Sequence, residues 1–311
     1  MFMKNTLAAT AVLAIGCSPA AESITPIDRV CAEAELPLGD TSATRSQRLG
    51  VQRVNCHRAV MGLAPTVLEA SLDFAAQNHA EYLRSLGSMT HRQAEPELPG
   101  YLGEWPGDRA VAGGYVWDAQ EESLSEVISF VETGNDPAFA VDQWMSNVYH
   151  REPLVQPELV GAGFGSLGEY DVMLTCGPWV SDGGVRSAGY PSQGQWAVPT
   201  SFDSDREVPD PMPDHGIVGY PISLTFLAPG TSGQNLYDLD VRPGASRLTD
   251  EDGANVPVRL LQPNTDPRLI WSAFLVPEQP LMPLTEYEAR FVGTVGDVEF
   301  DERWTFTTGA E

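Results

Sequence analysis

Imidazole and carboxylate are the side chains in this sequence that could move a proton near neutral pH or hold a divalent cation. The chain has five histidines. His91, Glu126 and His150 are the candidates. His91 lies in a loop-rich stretch with Pro96, Pro99, Gly100, Gly103, Pro106 and Gly107, where a side chain can reach into a cleft instead of a core. His79 falls on an apolar helical face and reads as a hydrogen-bonded core histidine. Other chemistry has no signature: there is no His-Glu-x-x-His, no phosphate-binding or dinucleotide glycine loop, and Phe164 stands where a nucleophile elbow at Ser166 needs glycine. A cysteine nucleophile is disfavoured by export and by the expected disulfide. His91, Glu126 and His150 are far apart in sequence, so only a fold could join them.

The elements that would position them are legible. Helical spacing runs from about Thr44 to Met61, with Gly62 as a stop. It returns through Leu68, Leu72, Ala75, Ala76, His79, Leu83 and Leu86, with Gly87 ending the run. Glu121 to Thr133 reads as a further helix or an extended segment. Asp136-Pro137 caps a helix carrying Phe139, Val141 and Trp144. Val160 to Gly165 and Tyr170 to Thr175 read as strands whose glycines permit close packing.

The motifs along this stretch are Asn55-Cys56-His57-Arg58, Thr90-His91, Ser125-Glu126-Val127 and Trp144-Met145-Ser146-Asn147-Val148-Tyr149-His150-Arg151. They resemble those of the CAP or SCP superfamily of cysteine-rich secretory, antigen 5 and pathogenesis-related proteins, in its bacterial form. The resemblance implies an α-β-α sandwich with a central cleft lined by two histidines and two glutamates. His91 matches the histidine after the long second helix, and Glu126 the glutamate of a Gly-Glu-Asn stretch, with Glu121 and Glu122 as rivals. His150 and Arg151 match a His-Arg pair. The fourth acid falls at Asn147, a departure that removes one carboxylate. His91 and His150 would be the metal ligands, with a divalent ion such as zinc as the candidate cofactor. Asn55 and Arg58 match a structural Asn-x-x-Arg.

Bulk composition narrows the partners. Acidic residues outnumber basic ones 43 to 18, for a net charge of −25. That repels nucleic acid and anionic membrane surfaces. Residues 1–17 carry Lys4, a short apolar run and Ala14-Ile15-Gly16-Cys17, which reads as a signal peptide with a lipobox-like end. Cys17 is the expected lipidation site; the alternative is plain secretion with cleavage near Ala20-Ala21. Of Cys31, Cys56 and Cys176, the preferred disulfide joins Cys31 to Cys56, with the other pairings open.

Residues 18–43 lack periodicity and read as a tether; residues 44–187 hold the CAP-like domain. A composition break follows, with five acids among three prolines at 203–214, read in part as linker. Residues 188–311 alternate in short runs separated by Gly, Pro, Asp and Asn, which argues for an all-β sandwich. Leu284-Thr285-Glu286-Tyr287 resembles a tyrosine corner and Trp304-Thr305-Phe306-Thr307 the last strand of bacterial Ig-like modules. The fold class expected is therefore α+β: an α-β-α sandwich, then an Ig-like β-sandwich.

Three functions follow as expectations. The first is an exported, lipid-anchored binding module at the outer membrane or cell surface, taking a small apolar or lipid-like ligand or a cell-surface component. The second is a peptidase-like hydrolase in which a metal or His91 with Glu126 activates water. The third is an adhesion or structural protein.

Overall fold

In the computed structural model the described residues are 26–33, 42–131, 136–179, 186–227 and 239–310. The signal segment and Cys17 lie outside them, as do residues 228–238 of the alternating C-terminal stretch. Helix α1 (Pro26–Glu33) sits where the sequence reads as tether, and the Cys31–Cys56 disulfide ties it to α2 (Arg45–Val60). The helix escapes a periodicity search because it is eight residues long and leans on a covalent link and an ion pair, Asp28 to Arg53 at 2.7 Å.

Thr44 begins α2 with a reciprocal cap: its side chain accepts from the Gln47 N–H and Gln47 accepts from the Thr44 N–H. After β1 (Val67–Leu68), Glu69 caps α3 (Ala70–Leu86), and Gly87 ends it in the left-handed conformation at φ 74°. Helix α4 (Pro106–Ala112) precedes β2 (Glu122–Phe130), which resolves the choice between helix and strand in favour of strand. Asp136 then caps α5 (Pro137–Ser146), and α6 (Arg151–Val155) leads into β3 (Gly161–Leu167) and β4 (Tyr170–Pro178).

These strands make one sheet in the order β1-β3-β4-β2 with helices on both faces. Leu72, Ala76 and Leu83 of α3 pack with Ile128, Val172 and Leu174 on one face. Val51, Val54, Val141 and Trp144 pack with Val127, Phe164 and Met173 on the other. Strand glycines allow the close approach. A Cβ on Gly163 would sit 2.2 Å from the Asp73 nitrogen, and one on Gly165 2.2 Å from the Gln77 nitrogen. Asn55 and Arg58 are structural: Asn55 exchanges two hydrogen bonds with the Thr66 backbone, and Arg58 donates to the carbonyls of Ala64, Leu154, Gln156 and Pro157.

The remaining strands are β5 (Arg186–Tyr190), β6 (Gln195–Val198), β7 (Ser201–Asp203), β8 (Ile217–Gly219), β9 (Ile222–Leu227), β10 (Leu239–Val241), β11 (Arg247–Asp250), β12 (Asn255–Val256), β13 (Val258–Leu261), β14 (Ser272–Pro277), β15 (Glu286–Val295) and β16 (Val298–Thr308). One sheet runs β12-β11-β15-β16-β6 with β10 also on β15, a second runs β13-β14-β9-β5, and β7 pairs with β8. On β15 every second residue is buried, the alternation that marks the sequence as strand. The Tyr287 hydroxyl accepts from the Met282 N–H at 2.8 Å, closing the turn into β15.

The stretch between β7 and β8 is not a free connection. Its Glu207 and Met212 are buried, and Met212 packs with Val148, Phe202 and Phe274. The largest apolar core is continuous from Val51, Val54 and Trp144 to Tyr190, Tyr220 and Leu275, so the helical and all-β regions share a packed seam.

Candidate functional site

Strand alternation sets the first part of the site. Leu124 and Ile128 of β2 join the core beneath α3, whereas Val127 faces the opposite layer, so Glu126 projects toward α3 and α4. Its side chain is fully buried and takes three cationic or imidazole partners. Arg109 Nη2 donates to Oε2 at 2.6 Å, His91 Nδ1 donates to Oε1 at 2.9 Å, and His79 Nε2 lies 3.5 Å from Oε1. Burial pushes the Glu126 carboxyl up, but the His91 hydrogen bond, the His79 imidazole and the Arg109 guanidinium outweigh it and hold the group below its ordinary value.

Each partner is itself oriented. Arg109 comes from α4, whose Gly107 lies against Trp117 with no room for a Cβ, and it also donates to the Glu104 carbonyl at 3.3 Å. His79 donates from Nε2 to the Thr90 carbonyl at 2.9 Å and accepts at Nδ1 from the Gln93 amide at 2.9 Å, an arrangement that fixes a neutral imidazole. Burial lowers His79 to about 4, in keeping with that state. The Thr90 carbonyl precedes His91, so the core histidine steadies the loop that carries the exposed one. His91 is 53% exposed, and with its Nδ1–H on Glu126 its Nε2 lone pair faces outward. Glu122 instead accepts from the Tyr115 hydroxyl at 3.1 Å, and Glu121 is exposed.

The second part lies at the seam. Asn147 closes α5, and the next three residues turn their backbone N–H groups onto Glu207: Val148 at 2.8 Å, Tyr149 at 2.7 Å and His150 at 3.1 Å. His150 Nδ1 adds a bond to the same carboxylate at 2.9 Å, with the Asn147 amide 3.4 Å from that nitrogen. Tyr149 donates its hydroxyl to Asp266 at 2.6 Å. Arg151 is fully buried. It donates to the Met145 and Pro221 carbonyls and lies over the rings of Tyr190 (4.8 Å), Tyr220 (5.1 Å) and Phe274 (5.6 Å). The Glu152 carboxylate accepts from the N–H groups of Ile270, Trp271 and Ser272; burial pushes it up to about 7 against those bonds.

His91 and Glu126 are thus brought together, as are Asn147 and His150, but the two histidines bond different carboxylates. The donor set does not suit the divalent cation that the sequence resemblance implies. Both oxygens of Glu126 are engaged, one of them by a buried guanidinium that already supplies positive charge. Among the described residues no group of three or more His, Cys, Asp or Glu side chains could hold a metal ion. Nor is a serine, threonine or cysteine side chain hydrogen-bonded to His91 or His150 among the described residues.

Two residues of this arrangement escape sequence reading. Arg109 follows Asp108 in a seven-residue helix and is joined to Glu126 by long-range packing alone. Glu207 stands in the acidic, proline-rich stretch that reads as linker; its one local signal is a carboxylate followed by apolar Val208 and Pro209.

Comparison with known proteins finds similarity over the helical region. No curated protein matches the chain. Among solved structures, an extracellular protein containing an SCP domain from Bacillus anthracis str. Ames is 17% identical over 42% of this chain and 39% of that one, with a TM-score of 0.36. The chain therefore spans less than half the length of that structure. The family model for CAP, the Cysteine-rich secretory protein family, matches residues 51–176. That span runs from within α2 to within β4 and includes His91, Arg109, Glu126 and His150, so the similarity to the CAP family lies over the part of the chain that carries both histidines.

Proposed function

We propose that the chain is an exported CAP-domain binding module, followed by an Ig-like sandwich and held at the membrane through an acylated Cys17. The ligand is small, with an apolar body and a polar group that meets His91. The observation that carries this reading is the His91–Glu126 pair: a half-exposed imidazole fixed at Nδ1 by a fully buried carboxylate, which leaves Nε2 to the ligand. Apolar surface accompanies it. Met89 is 53% exposed two residues away, and Trp105, over whose ring the Arg92 guanidinium lies, is 52% exposed. The absence of a hydroxyl or thiol bonded to this imidazole, among the described residues, favours recognition over nucleophilic catalysis.

The test is calorimetric titration of the exported chain with a cyclodextrin-delivered sterol and, separately, a long-chain fatty acid, repeated with His91→Ala. Saturable binding that weakens about tenfold or more in the variant, at unchanged melting temperature, supports the reading. Binding of neither probe, or equal binding by both proteins, refutes it. Ester or peptide hydrolysis lost in His91→Ala would make the protein a hydrolase instead.

A further inference from the structure

The all-β region reaches into the CAP domain at one point with chemical content. Glu207, fully buried, binds three successive backbone N–H groups and the Nδ1 of His150. A carboxylate can only accept there, so His150 must carry its proton on Nδ1. Its Nε2 has no partner among the described residues, and the ring is 19% exposed. Within the CAP domain, the side chain at hydrogen-bonding range of that Nδ1 is the Asn147 amide at 3.4 Å, which is neutral and a weaker partner than a carboxylate.

We infer that Glu207 is a positioning residue supplied by the C-terminal region: it fixes the tautomer of His150 and turns the Nε2 lone pair outward as a hydrogen-bond acceptor. The C-terminal region is then a component of a second imidazole site rather than a spacer. A ligand presenting an N–H or O–H donor is the chemistry that site would take. The inference stands on the seam alone and does not need the His91 reading.

Because the chain has five histidines, the ring nitrogens can be assigned in a 15N-histidine sample of the full chain with one His→Asn variant at a time. Long-range proton–nitrogen spectra at a pH of about 8, above the ordinary imidazole range, distinguish the two neutral tautomers. The wild type is expected to show His150 protonated on Nδ1. Glu207→Ala should move it toward the Nε2–H form. Adding Asn147→Asp should return it to Nδ1–H without restoring the melting temperature, because the new carboxylate faces the ring but not the three backbone N–H groups.

A wild-type His150 in the Nε2–H form overturns the inference, as does a folded Glu207→Ala protein with the ring unchanged. Should Glu207→Ala fail to fold, Glu207→Gln decides. The Nδ1 proton resonance must move upfield as a charge-assisted bond becomes a neutral one, and an unmoved resonance refutes the assignment.

Discussion

The molecule holds two imidazoles in the same way, one with parts from a single region and one with parts from two. His91 and Glu126 both belong to the region that matches the CAP family, and the buried cation that compensates Glu126 is Arg109 of the same region. His150 belongs to that region but Glu207 does not, and Glu207 is compensated mainly by backbone N–H groups. The first pair is a self-contained device. The second exists only while the two regions are docked. A buried carboxylate can be stabilised by charge or by peptide dipoles, and the choice decides what a mutation leaves stranded.

That contrast can be broken first at Arg109. Arg109→Leu removes the guanidinium from a carboxylate with no solvent access, and breaking a buried pair in this way costs roughly 3–5 kcal/mol. Urea denaturation should show the loss. Glu207→Ala strands backbone donors instead, which water entering the space can meet in part, so a smaller loss of roughly 2–4 kcal/mol is expected by the same measurement.

Acid and base separate the regions further. Folded His79 sits at about 4, below the ordinary imidazole value, so the stability it contributes is present above about pH 6.5 and is lost as pH falls toward 4. Glu152 is the opposite case. Its folded value of about 7 lies above the unfolded carboxyl value, so the folded state holds a proton that the unfolded state releases. The seam therefore loses stability as pH rises from about 4.5 to about 7. Denaturation midpoints over that range should show Glu152→Gln gaining on the wild type as pH rises; a constant offset would contradict the Glu152 assignment. The smallest stability effect is at His91, whose ring is 53% exposed: His91→Ala should cost under about 1 kcal/mol, too little to move the melting temperature appreciably, while weakening the proposed ligand binding about tenfold or more.

What the sequence disclosed follows from where the determining forces lie. Thr44, Asp136 and Gly87 are local punctuation, and each cap is where its residue type places it. His91 could be singled out because it follows a helix end, and Glu126 because a motif carries it. Arg109 and Glu207 could not, since each acts on a residue it meets only in the folded chain, 17 and 57 positions away. The same holds for His79. Its apolar helical face gives its burial correctly, but not that it bonds the carbonyl next to His91. The acidic stretch around Glu207 reads as linker because composition reports average solvation. One carboxylate capturing three N–H groups is a geometric fact.

Whether the second region is built into the site or merely attached to it is settled most directly by scanning calorimetry of the full chain. The continuous core through Trp144, Tyr190 and Tyr220, with Arg151, Glu152 and Glu207 bonded across it, predicts one transition whose calorimetric and van't Hoff enthalpies agree. Two separate transitions, with His150 keeping its wild-type ring resonances after the first, would show that the helical region holds its own histidine and that the seam is not part of the site.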